Sequence, residues 1–344
     1  LGVLDRLEVV LPPEVDDDLL MSVHDADYVA AVRANVENLA YGLGTTDNPL
    51  FPRMHEITAS VVMATVEAAR SVWQGEVKRA CNISGGLHHA MPRATSGFCI
   101  YNDVAVAISW LLANGAERVA YVDVDVHHGD GVQQIFYHDP RVLTISLHET
   151  PAVLFPGTGF PYEIGGPNAR GSAVNVALPT ATGEAGWLRA FHAIVPPALR
   201  AFEPQILITQ HGCDSHRHDP LADLDLTVDG QRASYQALAA LAEEICDGRW
   251  VSTGGGGDAG AGVGPRAWTH LLSIVSGEPL DPQIETPVAW REQLGPYAPL
   301  AMTDGGEVAY QDFHSGYSPS SRIAQAILAT RNAVFPDLGL DPSY

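Results

Sequence analysis

The chain has 344 residues, of which 46% are apolar and 17% charged. That balance belongs to a globular chain and excludes a disordered one, and no apolar run approaches the length of about eighteen residues that a membrane span needs. A formal charge of −22 argues against direct contact with a nucleic-acid backbone, which calls for a basic surface, and would attract a cationic substrate or partner.

The pattern predicts helices over 24–40 and 56–74, separated by a Gly/Pro/Asn loop at 41–53. Short β-branched runs follow at 118–126, 141–147, 172–178, 205–210 and 249–253, and helical runs at 101–113, 131–137, 184–201, 230–247 and 265–275 alternate with them. Near-continuous apolar strands alternating with helices predict an α/β fold, three layers with a central, mostly parallel sheet covered on both faces. Residues 276–317, rich in Pro and Gly, are expected to wrap the surface, and a last helix is expected over 319–334. The four cysteines, Cys81, Cys99, Cys213 and Cys246, form no CxxC pair. They read as free thiols of a reducing compartment, which together with the lack of a charged-then-apolar leader points to the cytoplasm.

In such sheets, sites form at the carboxyl ends of strands. Three strand ends here are polar: His127-His128-Gly129-Asp130, His211-Gly212-Cys213-Asp214, and Gly254 to Gly257 followed by Asp258. In YVDVDVHHGDG, residues 121–131, the alternation puts Asp123, Asp125 and His127 on one side. Buried charges of one sign are costly unless something neutralises them. Asp125 and His127 can converge on one ion, and Asp214 can supply a third ligand, a set that suits catalytic Zn²⁺ or Fe²⁺. Asp123 would then support a ligand or a monovalent cation. His88 and His89 follow a Gly pair just before a helix, a good position for general acid–base work, with Asp123 and Asp130 available to set their tautomers.

These stretches carry a resemblance. GGLHHA, GFCIYND, YVDVDVHHGDGVQQIFY, RVLTISLHE, FPGTG and HGCDSHRHDPLADL, with the Gly-rich turn before PRAWTHLL, resemble the zinc-dependent histone deacetylase superfamily, most of all its bacterial acetoin-utilization-type members. The similarity runs in order from residue 20 to residue 275. The resemblance implies an arginase/deacetylase fold with Zn²⁺ held by Asp125, His127 and Asp214. It implies His89 as general base, His88 as its electrostatic or acid partner, Asp123 bonded to His88 and Asp130 to His89. Phe98 and Phe155 match aromatics lining an acyl-lysine tunnel, with Gly97 and Gly256 beside the substrate. Leu221 matches an apolar rim position and Asp47 a rim carboxylate that grips the substrate backbone. Ser146 and Leu147, with the backbone around Asp123, Asp125 and His127, match a structural K⁺ site.

Two departures stand out. The family reads GGGGY where residues 254–258 read GGGGD, and no Tyr occurs between Tyr235 and Tyr297. The Tyr would donate to the oxyanion, a loss worth roughly 10²–10³ in turnover, and the Asp258 carboxylate would repel it. The chain also starts at Leu1, without the strand and helix with which the family usually begins, so the whole of 1–344 is expected to be one deacetylase domain lacking that segment. The implied function is removal of acetyl groups from protein lysines by metal-activated water. The alternatives are a deacetylase of acetylpolyamines or other small acetylated amines, and a catalytically weak acyl-lysine-binding homologue.

Overall fold

The computed structural model describes residues 1–316 and 318–343. Tyr317, the last residue of the expected surface stretch, lies outside the described residues. Among the described residues, six strands form one all-parallel sheet: β1 (Arg79–Asn82), β2 (Val119–Asp123), β3 (Val142–Glu149), β4 (Ala173–Leu178), β5 (Ile206–Gln210) and β6 (Trp250–Thr253), in the order β1-β6-β5-β2-β3-β4. From β2 the chain steps outward through β3 and β4, then returns to place β5 on the other flank of β2. That reversal makes the β2/β5 boundary the switch point where such sheets bind ligands.

Alternation along β2 sorts its side chains to the two faces. Val119 and Tyr121 join one buried cluster with helices α1 (Asp17–Leu20), α2 (Ala26–Ala34), α3 (Met54–Trp73), α4 (Asp103–Ala113) and α5 (Asp130–Phe136). Ala120 and Val122 join the other, with α6 (Glu184–Phe202), α7 (Val228–Ile245), α8 (Gly264–Val275) and α10 (Arg322–Val334). Helices on both faces are what a parallel sheet requires to bury both sides.

Several boundaries differ from the pattern. The expected helix over 24–40 stops at Ala34, because Asn35 takes a left-handed conformation (φ 51°) that ends it. β1 was not anticipated: RACN is four residues long and carries two polar ends, and it forms only because β6 pairs with it. Helix α9 (Val288–Leu294) was likewise unexpected within the stretch 276–317. That stretch also reaches back to the core, where the Asp229 carboxylate accepts from Thr303 Oγ1 and from the amides of Asp304 and Gly306.

The strand expected over 118–126 leaves the sheet after Asp123, and the cause is local. The next amides are claimed by other acceptors: Val124 N by the Gln210 carbonyl, Asp125 N by Asp123 Oδ1, and Val126 N by Asp214 Oδ1. The carboxylates thus break the ladder just past the end of β2.

Candidate functional site

Asp125 and His127 stand in the turn after β2, and Asp214 in the turn after β5. Ligand atoms of the three lie within 4.8 Å of one another. His127 Nδ1 is 3.2 Å from Asp125 Oδ1 and 3.1 Å from Asp214 Oδ2. The other oxygens are occupied. Asp125 Oδ2 accepts from Gln210 Nε2 (2.7 Å) and Gly256 N (3.0 Å), and Asp214 Oδ1 accepts from Val126 N (2.9 Å). Asp125 Oδ1 also accepts from the His127 amide (2.9 Å), and with Asp214 Oδ2 it faces the His127 ring nitrogen.

Both carboxylates are buried, and no lysine or arginine pairs with either among the described residues. Burial and the nearby Asp125 charge push the Asp214 pKa up. Burial opposes a charge on His127 as well, yet bonds to Asp125 and Asp214 outweigh it and raise His127 to about 11. Two buried carboxylates beside one imidazole, with no basic side chain against them among the described residues, call for a cation. One nitrogen and two carboxylate oxygens fit a divalent ion with room for a further ligand.

The tandem histidines lie on the loop after β1. Asp103, at the start of α4, fixes that loop by accepting from Gly86 N and Leu87 N, and Asn102 Nδ2 donates to the carbonyls of His88 and Ala90. Nδ1 of each ring meets a carboxylate: His88 with Asp123 at 2.7 Å, His89 with Asp130 at 2.6 Å. The two Nε2 atoms lie 3.1 Å apart. Burial disfavours charge on both, but Asp123 and Asp125 overcome it at His88 and raise its pKa to about 9. His89 is lowered, by burial and then by the His88 charge. One imidazolium beside one neutral imidazole gives the floor of the site an acid and a base.

Other expected residues gather less tightly. The Phe155 ring lies 5.0 Å from that of His89 and 6.3 Å from that of His127. A Cβ on Gly97 would fall 2.4 Å from His89 Cδ2 and 3.0 Å from Phe155 Cε1, so glycine lets His89 and Phe155 close together there. Phe98 is 64% and Phe155 47% exposed, as befits surface walls and not core. Asp47 is exposed, on a loop tied to the Gly97 turn through Thr95 N and the Tyr41 carbonyl. Leu221 is half exposed, and its amide donates to Asp219 Oδ1. Asp219 Oδ2 also accepts from the amide of Asp258, whose side chain is exposed. Ser146 pairs in register with Asp123 and its hydroxyl bonds His148 Nδ1, while Leu147 is buried in the core.

Pattern reading passed over several residues. Tyr121 donates to Asp123 Oδ2 at 2.6 Å, on the oxygen that also takes His88. Gln210, fully buried, reaches Asp125. Its signal was a polar residue ending an apolar strand at the rim. His148 and His128, through Gly159 O and Thr158 Oγ1, tie down the loop that carries Phe155. Their partners are distant in sequence, so no spacing rule reveals them.

Comparison with known proteins agrees with this arrangement. The histone deacetylase domain matches residues 1–275. The acetoin utilization protein AcuC of Bacillus subtilis is 38% identical over 309 residues, covering 88% of this chain and 79% of that protein. AcuC of Staphylococcus xylosus is 35% identical with 88% and 80% coverage. The crystal structure of an HDAC homolog from Aquifex aeolicus superposes with a TM-score of 0.82 at 25% identity, covering 96% of this chain and 91% of that one. A similar match is found to an HDAC homolog complexed with SAHA, with a TM-score of 0.81. The fold is thus the arginase/deacetylase α/β fold, and the chain belongs to the histone deacetylase family, a deacetylase among the hydrolases.

Proposed function

We propose that the chain removes acetyl groups from lysine side chains of proteins or peptides, as a metal-dependent amidohydrolase of the cytoplasm. The observation that carries this reading is the convergence of the Asp125–His127–Asp214 donor set on two imidazole–carboxylate pairs. Zn²⁺, or Fe²⁺ in its place, would be held by those three residues and would supply Lewis acidity toward the amide carbonyl and acidity to a water. His89, kept neutral, takes the proton of the attacking water at Nε2. His88, kept charged by Asp123, stabilises the developing negative charge and provides the proton that the departing lysine amine needs.

Phe98 and Phe155, with Gly97 between, suit a methylene chain capped by an amide. Leu221 and Gly256 border it, and Asp47 grips the substrate backbone from the rim. Ser146, which donates its hydroxyl proton to His148, keeps lone pairs for K⁺ beside the backbone of Asp123, Asp125, His127 and Leu147. The four free thiols suit a reducing compartment.

One observation favours a second reading. Asp258 occupies the place where the family's Tyr would donate to the oxyanion, and it offers a carboxylate instead. On that reading the chain is a weak catalyst that chiefly binds acyl-lysine. Turnover of an acetyl-lysine peptide and of an acetylpolyamine, by the parent and by Asp258→Tyr, with and without chelator, separates these. Metal-dependent turnover of the peptide, rising by about 10²–10³ in Asp258→Tyr, is expected. Preference for the polyamine would move the substrate class. Chelator-insensitive turnover, or none in either protein with zinc bound, would refute the hydrolase reading.

A further inference from the structure

Four strand-end segments meet at one side chain, that of Gln210. It ends β5, opposite Asp123 in the β2 register, and it is fully buried. Its Nε2 donates to Asp125 Oδ2 at 2.7 Å and approaches the Gly86 carbonyl, in the loop of the tandem histidines, at 3.3 Å. Its Oε1 accepts from Gly212 N at 2.8 Å, in the turn that leads to Asp214. Glycine surrounds it for a steric reason: a Cβ on Gly255 would lie 2.3 Å from Gln210 Nε2, and one on Gly86 would lie 3.0 Å from Gln210 Cγ. Both ends of the amide are satisfied, so its orientation is fixed.

The choice of an amide has a physical consequence. A lysine or arginine at this place would also hold Asp125, but it would cancel the negative charge a divalent ion needs. A neutral amide fixes the carboxylate and leaves its charge intact. With Gly256 N it fills Asp125 Oδ2, while Oδ1 accepts from the His127 amide and lies 3.2 Å from His127 Nδ1, so the carboxylate is held at both oxygens. Resting on the reading of Asp125, His127 and Asp214 as a metal site, we infer that Gln210 is a positioning residue that fixes the orientation of the Asp125 carboxylate toward the ion and sets metal affinity. Outer partners of metal ligands typically govern affinity by about 10–100-fold.

The test measures the Zn²⁺ dissociation constant of the full chain by competition with a coloured chelator, after removal of metal. Gln210→Met and Gln210→Leu are compared with the parent and with Gln133→Met, which removes a buried amide bonded to His128 and Asn175 but not to a ligand atom. Near-UV circular dichroism checks that each variant keeps its core. The expected result is weaker Zn²⁺ binding, by about 10–100-fold, in folded Gln210 variants, with Gln133→Met within threefold of the parent. Binding within threefold of the parent in a folded Gln210 variant would overturn the proposal. So would an equal loss in Gln133→Met, or failure of both Gln210 variants to fold, because each would make Gln210 a packing residue only. A parent chain that binds no Zn²⁺ would overturn the metal-site reading itself, a result visible before any variant is made.

Discussion

His24 should make the stability of this protein fall on mild acidification. Its ring is buried between Tyr28 and Tyr101, with centroids 5.5 and 5.2 Å away. Nδ1 donates to the Met91 carbonyl at 3.0 Å, and Nε2 accepts from the Asn102 amide at 3.0 Å. A second proton on the ring must break the Asn102 bond and bury a charge. Burial lowers the His24 pKa from 6.5 to about 4, despite the opposing Met91 bond. Unfolding therefore takes up a proton between those values, so the contribution is complete above pH 6.5 and is lost as the pH falls toward 4. At pH 5 the loss amounts to about 2 kcal/mol, and below the folded value to about 3 kcal/mol. Urea unfolding of metal-free protein at pH 7.5 and pH 5, for the parent and His24→Gln, isolates this from other histidines. The variant is less stable at pH 7.5, and the gap between the two narrows by about 2 kcal/mol at pH 5. A gap independent of pH would refute the reasoning. The effect reaches the site, because Asn102 also holds the carbonyls of His88 and Ala90.

Three further outcomes are expected. Gly97→Ala places a Cβ 2.4 Å from His89 Cδ2 at a backbone φ of +48°, and thermal or urea unfolding should show a loss of about 2–4 kcal/mol together with a fall in kcat. Gly256→Ala sets a Cβ 2.5 Å from Asp214 Oδ2, so chelator competition should show at least about tenfold weaker zinc binding. Gly262→Ala, with open space around it, should leave that constant unchanged. Tyr121→Phe removes a buried donor from Asp123 and should lower urea stability by about 1–3 kcal/mol, with a lower kcat as His88 loses a firmly held partner.

The sheet was legible because β2, β3, β4 and β5 are runs of Val, Ile and Leu, whose period of two or unbroken apolarity needs no outside information. β1 was not, since RACN becomes a strand only through β6. Residues such as Asp125 and His127, or His88 and His89, were visible because charges crowd a short span. The partners that hold them were hidden for the opposite reason. Tyr121 looks like an ordinary strand aromatic, and Gln210 like a strand's polar end, until the fold sets each beside a carboxylate. The alternation of Asp123, Asp125 and His127 suggested one continuous strand, but the carboxylates capture the backbone amides and bend the chain out of the sheet.

The loop after β1 must cross the end of β6 to bring His88 to the middle of the sheet, and the two chains touch backbone to backbone. A Cβ on Gly254 would lie 2.0 Å from the Ile83 carbonyl, and one on Gly86 would lie 2.4 Å from the Gly254 carbonyl. Side chains are thus barred from the inner part of the Gly-rich turn by the architecture, whatever reaction the site performs. Past Gly257 the constraint ends, and the side chain of Asp258 stands in solvent. The crossing and the side chain at 258 therefore occupy neighbouring but independent positions along one turn. A chain built this way can exchange the side chain at 258 without disturbing the crossing that assembles everything else.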